Sequence, residues 1–478
     1  MFEQVSEAIK QEIDRGHAPC CSIVCHGPKG QFIQCFGIED IDRDRKIDRN
    51  TRFPMGCVTK MFISAAVFQL CVVEGINMES PIQKALYGIP AFADLEFAKY
   101  VSINDVLTHS IGITNNALKH YLLSHESSST VVNVINDEFD ILKFRKQYNY
   151  SSMPFVILQY VIEYITGMSW KSYIEKSIFQ PAGIEKIAFI EEFDKGNQHN
   201  MALPYIRKEK RFIRGDLIIM ESFDSGLGLV LNTDEIARLF AHNFLFTCDS
   251  FIKQACVPQR NTFGGLPFRE VLYDFSSVCG NIMQIANEKI LYHIGNYPGY
   301  SSFLGYCVNA KMYISIMTNV SNSLLPIVYA LSLAENRDEN VQKWNARFKF
   351  FDSFQQDRKR AKMKSIQSTD DYGIEGQYTN TIYPDVVISR DGNRVYIVIN
   401  NKEYNLIRVG RDYYRTDLYD GIFLEIKVEG NDIVLSEHGI EGDNLIYKRK
   451  GVSKERLIHP FFNGAYRGLY RRYTVSAK

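Results

Sequence analysis

The order of strand-like and helix-like segments over the first 335 residues constrains the fold most. A helical pattern that closes on glycine, MFEQVSEAIKQEIDRG, precedes two strand-like runs around the turn GPKG. Apolar residues then recur mainly at helical spacing from about residue 60 to 240, and strand-like runs return near the segment KILYHIG. Because strands at both ends enclose the helical stretch, we predict a mixed sheet built from the two ends, flanked by helices, with an inserted helical subdomain over residues 1–335.

A second region with a different residue pattern begins at residue 371 and continues to residue 450. Short alternating segments such as RVYIVINN and IFLEIKVEG are separated by Gly, Asn and Asp turns, which predicts a small closed antiparallel β-barrel. Residues 336–370 are charged and free of glycine and proline, and we interpret them as a partly helical linker. The remaining segment, 451–478, is a basic, aromatic tail.

Composition and charge argue against several classes of function. The chain has 55 Lys and Arg residues against 55 Asp and Glu residues, so no global charge favours nucleic acid or an anionic membrane. The N-terminus lacks the apolar core of a signal peptide, and we expect no stretch long and apolar enough to cross a bilayer. Ten cysteines lie scattered, several in apolar runs, which favours buried free thiols in a reducing, cytoplasmic setting. The run CCSIVC lacks a second spaced pair, so we expect neither a metal site nor a cofactor.

The stretch FPMGCVTKMF carries the first chemical signal. Cys57 follows a glycine and precedes a helical pattern, and the unpaired N–H groups and dipole of a helix N-terminus favour a thiolate. Lys60 lies three residues later on the same helix face, where a desolvated amine can act as a base. Taken alone, the stretch more often indicates a buried core cysteine with a lysine that extends outward.

Five segments in order resemble the serine β-lactamase and penicillin-binding-protein superfamily, in particular the branch of class C β-lactamases, esterases and D-aminopeptidases. FPMGCVTKMF resembles the SxxK motif, with Cys57 in the position of the serine. The other segments are VSINDVLTHSIGIT, YNYSSMPFVILQYVIEYITG, DSGLGLVLNTDEIARLF and YHIGNYPGYSSFLGY. The resemblance covers about residues 1–335 and implies an α/β fold with an antiparallel sheet flanked by helices and an all-helical subdomain.

The resemblance also implies roles for individual residues. Cys57 is the expected nucleophile, Lys60 the group that helps to deprotonate it, and Tyr150 the general acid and base. His293 is expected to line the pocket and tune the pair of Lys60 and Tyr150, while His109 is interpreted as local packing or capping. The expected oxyanion hole consists of the backbone N–H groups of Cys57 and Asn296, and the expected substrate-binding positions are Ser152, Ile294 and Gly295.

Two departures from the family pattern bear on the substrate. Ser152 replaces the asparagine that commonly contacts a substrate amide, and Ile294 replaces a threonine or serine. An isoleucine cannot hydrogen-bond a carboxylate, so neither β-lactam resistance nor wall synthesis is expected. The C-terminal barrel resembles the lipocalin-like domain attached to peptidases and esterases of this family. There it narrows substrate choice, although a stability or oligomerisation role is an equal alternative.

A cysteine nucleophile would form a thioester, which reacts well with amines relative to water. We therefore predict an acyl-transfer enzyme that passes the acyl group from Cys57 to an amine or thiol, in small-molecule or peptide biosynthesis. The expected partner is a small-molecule or peptide-like acyl substrate, with a carrier-bound thioester as one option, and neither nucleic acid nor a membrane. Hydrolysis of an amide or ester is a nearly equal alternative. A third is an inactive binding module, against which the retention of Lys60, Tyr150 and His293 argues.

Overall fold

The computed structural model describes residues 2–450 with several internal gaps, and the chain divides into two units. The residues outside the description are 1, 87, 114–116, 194–199, 209–210, 247–248, 263–267, 269, 336–339, 363–372, 393, 409–411, 420–421, 438–444 and 451–478. The tail predicted at 451–478 therefore lies outside the described residues. The first unit comprises Met1–Asn115, Ser124–Phe139 and Arg145–Met363, and the second comprises Asn116–Leu123, Asp140–Phe144 and Lys364–Lys478.

The helices and strands follow the predicted alternation along the chain. The helices are α1 (Phe2–Asp14), α2 (Thr59–Val73), α3 (Ile82–Ala85), α4 (Ile103–Leu107), α5 (Ala117–Leu122), α6 (Ser128–Glu138), α7 (Phe155–Thr166), α8 (Trp170–Ile174), α9 (Thr233–Ala241), α10 (Asp249–Ala255), α11 (Leu325–Glu335) and α12 (Asn340–Lys362). The strands of the first unit are β1 (Cys20–Gly27), β2 (Gly30–Asp40), β3 (Arg45–Lys46), β4 (Arg52–Pro54), β5 (Ala188–Phe189), β6 (Tyr205–Lys208), β7 (Arg211–Arg214), β8 (Leu229–Asn232), β9 (Val271–Ser277), β10 (Gly280–Ile285), β11 (Glu288–Tyr297), β12 (Tyr300–Cys307) and β13 (Met312–Thr318).

The main sheet joins the two ends of the first unit. Its strand order is β3-β2-β1-β13-β12-β11-β10-β9, so the N-terminal strand β1 pairs directly with the last strand β13. This pairing confirms the predicted sheet built from both ends. Every neighbouring pair is antiparallel, so the expectation of a mixed sheet is wrong and the antiparallel sheet implied by the family resemblance is confirmed. The segment between the ends also carries the three-stranded sheet β4-β8-β5 and the hairpin β6-β7.

One face of the main sheet packs against α1, α11 and α12. Alternating residues of the central strands, such as Ile23, Ile314 and Ile316, point to this face and are almost fully buried. The segment interpreted as a charged linker contains α12, whose side chains Trp344 and Phe348 are buried in the same core. These two residues are four positions apart, which puts them on one face of the helix and explains why a charged sequence still packs.

The segment Gly56–Val73 is the most apolar long helix in the described part of the chain. Its mean hydropathy is 1.8 over 18 residues, so by length and composition it could cross a membrane. The expectation that no stretch reaches this length is therefore wrong for Gly56–Val73. In the folded chain 78% of the segment is buried inside the protein, as is usual for the core helix of a globular domain.

The second unit contains the predicted C-terminal barrel. Its strands are β14 (Gly376–Thr379), β15 (Val386–Asp391), β16 (Arg394–Ile399), β17 (Lys402–Asn405), β18 (Ile407–Arg408), β19 (Tyr413–Tyr419), β20 (Ile422–Glu429), β21 (Asp432–Glu437) and β22 (Leu445–Arg449). They form one nine-stranded sheet in the order β17-β16-β15-β14-β22-β21-β20-β19-β18, and the barrel is nearly closed because β17 also lies against β19. This confirms the predicted fold of the region.

A short helix from the first half of the chain belongs to the barrel unit. The helix α5 packs against β20 and β21, and the Tyr121 hydroxyl forms a hydrogen bond with the Tyr404 hydroxyl. The side-chain amide of Asn400 also donates to the carbonyl oxygen of Tyr121. No local sequence pattern indicated this long-range contact.

Candidate active site

Cys57 lies in a single 3₁₀ turn, Gly56–Val58, that leads directly into α2. The turn is held from both sides, because the Met55 N–H donates to the Leu229 carbonyl (2.8 Å) and Ser302 Oγ donates to the Met55 carbonyl (2.8 Å). Cys57 itself is half-buried and is not in a disulfide. The thiol is therefore fixed at a helix N-terminus while part of it stays accessible.

The turn that carries Cys57 lies against the end of strand β11. Strand β10 pairs with β11 only as far as Tyr292, so the next residues of β11 are left beside the turn. Gly56 has a φ of +53°, and a Cβ at this position would lie 2.6 Å from the carbonyl oxygen of Asn296. Only glycine fits both the left-handed backbone and this close approach. The structure thus brings the backbones of Cys57 and Asn296 together, and their oxyanion-hole role stays a prediction.

The Lys60 side chain is almost fully buried, with 1% of the residue surface exposed. Its Nζ donates to Ser152 Oγ (2.8 Å) and to the carbonyl oxygen of Gly226 (2.9 Å). Burial lowers the pKa of Lys60, while the neighbouring Cys57 thiol acts in the opposite direction. The expectation that Lys60 extends outward if it is structural does not fit this position. A desolvated amine beside a thiol is an arrangement that functional sites use.

Tyr150 and Ser152 both lie close to Lys60 Nζ. The Lys60 Nζ lies 5.1 Å from the centre of the Tyr150 ring, and the Tyr150 hydroxyl is buried without a hydrogen-bond partner of good geometry among the described residues. Burial raises the pKa of Tyr150 well above its ordinary value. The nearby Cys57 adds to this, and the Ser152 hydroxyl opposes it. Ser152 is 1% exposed and contacts Lys60, so the structure places it beside the lysine, below the accessible surface.

His293 completes the group of predicted catalytic side chains. Its ring centre lies 5.9 Å from that of Tyr150, and it is almost fully buried. Burial and the charge of Lys60 lower the pKa of His293 to about 3, so the ring is neutral near pH 7. Its Nδ1 lies 2.8 Å from the carbonyl oxygen of Ile294. A carbonyl only accepts, so Nδ1 carries the proton and the buried Nε2 is an acceptor without a partner among the described residues.

The two remaining predicted positions on β11 have different surroundings. Ile294 packs against the hydrophobic core on the sheet face opposite to His293, because successive strand residues alternate between faces. The structure therefore does not group the Ile294 side chain with Cys57. A Cβ on Gly295 would lie 2.0 Å from the Met55 carbonyl oxygen and 2.1 Å from Ser302 Oγ. Gly295 thus lets the turn before Cys57 approach β11.

A buried ion pair, which no sequence pattern indicated, supports the turn that contacts Lys60. Gly226 belongs to the π-helical turn Asp224–Gly228, which begins with a 1% exposed aspartate. Lys171 Nζ lies 2.7 Å from Asp224 Oδ2 and also pairs with Glu191. Burial raises the pKa of Asp224, although Lys171 beside it acts in the opposite direction. The pair joins α8 to this turn and so indirectly holds the Gly226 carbonyl on Lys60.

Tyr148 is a further residue near the site that the sequence did not indicate. Burial raises its pKa, and both Asp274 and Cys57 are close enough to add to the effect. Asp274 accepts a hydrogen bond from the Tyr292 hydroxyl (2.9 Å), and burial raises its pKa to about 6. No group of three His, Cys, Asp or Glu side chains is placed to hold a metal ion within the part of the chain that was searched.

Comparison with known proteins identifies the family of the chain. The β-lactamase family model matches residues 5–330. Protein flp of Staphylococcus aureus (strain NCTC 8325 / PS 47) is 22% identical over 198 residues, which are 39% of this chain and 38% of that protein. Unguisins hydrolase ungD' of Aspergillus campestris (strain IBT 28561) is 23% identical over 218 residues, 42% of this chain and 40% of that protein. The chain thus spans about two fifths of the length of these curated relatives.

Solved structures support the fold. The octameric penicillin-binding protein homologue from Pyrococcus abyssi has a TM-score of 0.59 at 18% identity, covering 94% of this chain and 100% of that one. The D-amino acid amidase from Ochrobactrum anthropi SV3 has a TM-score of 0.59 at 15% identity, covering 72% of this chain and 99% of that one. At such identities the similarity shows the fold alone, whereas the family model matches more than half of the chain. The chain therefore belongs to the β-lactamase family.

Proposed function

We propose that the protein is an enzyme that forms a covalent thioester on Cys57 and passes the acyl group to an amine or a thiol. The donor is a small-molecule or peptide-like amide or ester, or a carrier-bound thioester. One observation carries the proposal: a half-buried thiol at the start of α2 is within interaction range of both a desolvated lysine and a buried tyrosine hydroxyl. Family membership supports the acyl-enzyme chemistry, and the sulfur nucleophile is our own inference.

In the first step, Cys57 Sγ attacks the carbonyl carbon of the donor, a C–S bond forms, and the bond to the leaving group breaks. Two of the tetrahedral positions around Lys60 Nζ are used by Ser152 and Gly226, which leaves the lone pair of the neutral amine for the thiol proton. Tyr150 hands a proton to the leaving nitrogen, oxygen or sulfur and is reprotonated by Lys60. The proton lost by the thiol therefore leaves with the first product.

In the second step, the amine or thiol acceptor attacks the thioester carbonyl and the C–S bond breaks. The acceptor proton returns to Cys57 through the same two side chains, so the enzyme is regenerated. The backbone N–H groups of Cys57 and Asn296 stabilise the oxyanion in both steps, and the close approach of Gly56 to Asn296 supports this assignment.

Hydrolysis of an amide or ester is the second candidate function. The names of two similar proteins, a hydrolase and a D-amino acid amidase, favour water as the acceptor. An inactive binding module fits less well. Burial of the Lys60 amine is unfavourable because it removes a charged group from water or forces it to lose its proton, and a module without chemistry would gain nothing from placing it beside a thiol.

The first test is acylation of the intact protein by p-nitrophenyl acetate, followed by mass spectrometry and peptide mapping. We expect one acetyl group on Cys57 in the wild type and none at that position in Cys57→Ala. Cys256→Ser is the matched control, because Cys256 is also a half-buried free thiol and has no place in the site. If Cys57 alkylates with iodoacetamide but accepts no acyl group from a broad ester and thioester panel, the enzyme proposal is wrong.

Transfer and hydrolysis are separated by adding glycine methyl ester as the acceptor and measuring the ratio of amide to acetate product. We expect the wild type to form mainly the amide and Cys57→Ser to shift the ratio towards acetate, because an oxygen ester reacts less readily with amines than a thioester does. An unchanged ratio in Cys57→Ser would show that sulfur was not selected for transfer, and hydrolysis would become the better assignment.

A further inference from the structure

His109 is buried beside Tyr150 and has a backbone conformation that few residues adopt. Its φ is +56°, in the left-handed region, and 3% of its surface is exposed. Histidine tolerates this region better than most side chains, but the conformation is still unusual outside glycine. Such a conformation persists only where neighbouring contacts hold the residue in it. The contacts of His109 therefore show which neighbouring residues it holds in place.

The contacts of His109 go to the two residues that flank Tyr150. The Asn149 N–H donates to the His109 carbonyl oxygen (2.8 Å), and the Ser151 N–H donates to His109 Nδ1 (3.3 Å). An N–H group is always a donor, so Nδ1 is the unprotonated nitrogen and the neutral ring carries its proton on Nε2. Burial, with the nearby Lys60 and His293, lowers the pKa of His109 well below its usual range, which keeps this acceptor available.

The His109 ring also packs directly on Tyr150. The two ring centres are 4.5 Å apart at 46°, and the rings of Tyr148 and Phe155 lie 5.7 and 5.6 Å from His109. His109 thus contacts the Tyr150 ring with its own ring, and it binds the backbone N–H groups of the residues before and after Tyr150 with its carbonyl oxygen and its Nδ1. By contrast, the hydroxyl of Tyr150 has no well-formed hydrogen bond of its own among the described residues.

The same turn is anchored a second time, just before Tyr148. Arg145 forms a two-point contact with Asp105 (Nε to Oδ1 2.7 Å, Nη2 to Oδ2 2.6 Å), and its N–H donates to the Ser110 carbonyl (2.8 Å). The segment 145–151 is therefore attached to residues 105–110 at both ends, with His109 at the end nearest the tyrosine.

We propose that His109 is a positioning residue for catalysis: its Nδ1, carbonyl oxygen and ring hold the 149–151 backbone so that the Tyr150 hydroxyl faces Cys57 and Lys60. The effect of His109 on the rate rests on the proposed function, whereas the positioning of Tyr150 by His109 does not depend on that function. His109 does not exchange protons with the substrate. Its contribution to the rate acts only through Tyr150.

Two variants separate the contacts. His109→Phe keeps a ring of similar size and removes the acceptor of the Ser151 N–H, whereas His109→Asn keeps a short-range acceptor and tolerates positive φ. His242→Ala is the control, because His242 is exposed at the end of α9.

The position of the Tyr150 ring is measured first, without any substrate, by ¹⁹F NMR of protein labelled with 3-fluorotyrosine. The Tyr150 signal is assigned with Tyr150→Phe. We expect the Tyr150 signal to move in His109→Phe and to stay near its wild-type position in His109→Asn and His242→Ala.

The second readout is the dependence of the acylation rate on the leaving group, from p-nitrophenyl acetate to phenyl and alkyl acetates. A basic leaving group needs a proton from Tyr150, and a positioned acid contributes about 10²- to 10⁴-fold. We expect the acylation rate of His109→Phe to equal that of the wild type with p-nitrophenyl acetate and to be at least about tenfold lower with alkyl acetates. Tyr150→Phe should show the same pattern with a larger loss of rate with alkyl acetates. His109→Asn should recover most of this loss.

The outcomes distinguish this inference from the proposed function. If the wild type does not acylate, the proposed function is wrong, and the ¹⁹F signal alone decides whether His109 holds Tyr150. An unmoved Tyr150 signal in His109→Phe, or a rate loss that is equal for all leaving groups, overturns the inference. If His109→Phe does not fold, ¹⁵N-histidine NMR of the wild type decides: the Nε2–H tautomer at His109 supports the inference and the Nδ1–H tautomer overturns it.

Discussion

Replacing His293 with glutamine is expected to make the first unit less sensitive to acid. Burial and Lys60 lower the pKa of His293 to about 3 in the folded chain, against an ordinary value of 6.5. Between these two values the unfolded chain binds a proton at this position and the folded chain does not. The stability of the fold therefore rises with pH across this window and falls as the pH decreases from about 6.5 towards 3. Glutamine has a similar size and cannot titrate, so the variant lacks this contribution.

The size of the effect follows from proton linkage. For a group with these two pKa values, the free energy of unfolding falls by about 1.3 kcal/mol between pH 7.0 and 5.5. His109 and His17 also have lowered pKa values and add to the acid sensitivity of the wild type and the variant alike. The test therefore compares how much stability each protein loses between pH 7.0 and 5.5. We expect this loss to be about 1.3 kcal/mol smaller in His293→Gln than in the wild type.

Urea unfolding followed by tryptophan fluorescence measures this quantity. Both tryptophans of the chain, Trp170 and Trp344, belong to the first unit, so the signal reports the unit that contains His293. His242→Gln is the control, because an exposed histidine should leave the pH dependence unchanged. Equal pH slopes for His293→Gln and the wild type would falsify the claim that His293 is held neutral in the folded state.

Two further substitutions test how the site is supported. Gly295→Ala should displace the turn that carries the Met55 carbonyl, which would lie 2.0 Å from the new Cβ, and should lower stability by about 1–3 kcal/mol and abolish acylation of Cys57. Gly215→Ala, with no neighbour closer than 3.8 Å, should do neither, and a normal acylation rate in Gly295→Ala would contradict the close approach. Asp224→Asn removes the buried partner of Lys171, and urea unfolding should show a loss of roughly 2–4 kcal/mol. A loss below 1 kcal/mol would mean that the pair does not stabilise the fold.

Much of the fold was predictable because local patterns and strand order determine it. The periodicity of α1, the turn between β1 and β2, and the alternating segments after residue 371 each indicated the observed elements. The all-antiparallel pairing of the main sheet was not predictable from these patterns, because a buried strand has the same sequence texture in either orientation. The addition of α5 to the barrel unit was equally invisible, since it depends on a contact between Tyr121 and Tyr404, far apart in sequence.

The grouping of the candidate catalytic side chains was predictable only through the family resemblance. Spacing along one helix placed Cys57 and Lys60 together, but nothing local connected them to Tyr150 or to His293 on a distant strand. The alternation of side chains along β11 does indicate that Ile294 and His293 point to opposite faces of the sheet, which the family resemblance alone does not indicate. The support of Lys60 by the turn at Gly226 depends on the pairing of Asp224 with Lys171, which no motif records.

The arrangement around Cys57 combines a thiol with three side chains whose pKa values are all shifted towards the neutral form. Burial favours the neutral form of Lys60, Tyr150 and His293 alike, so the site contains little fixed charge before the reaction begins. In the proposed mechanism, charge then develops at the thiolate and at an oxyanion that we expect the backbone N–H groups of Cys57 and Asn296 to stabilise, in line with the close approach of Gly56 to Asn296. The two N–H groups of the neutral Lys60 amine are already used by Ser152 and Gly226, so this side chain is not available to pair with a substrate carboxylate. Under the proposed function we therefore expect an uncharged amide, ester or thioester donor to be preferred over an acidic one.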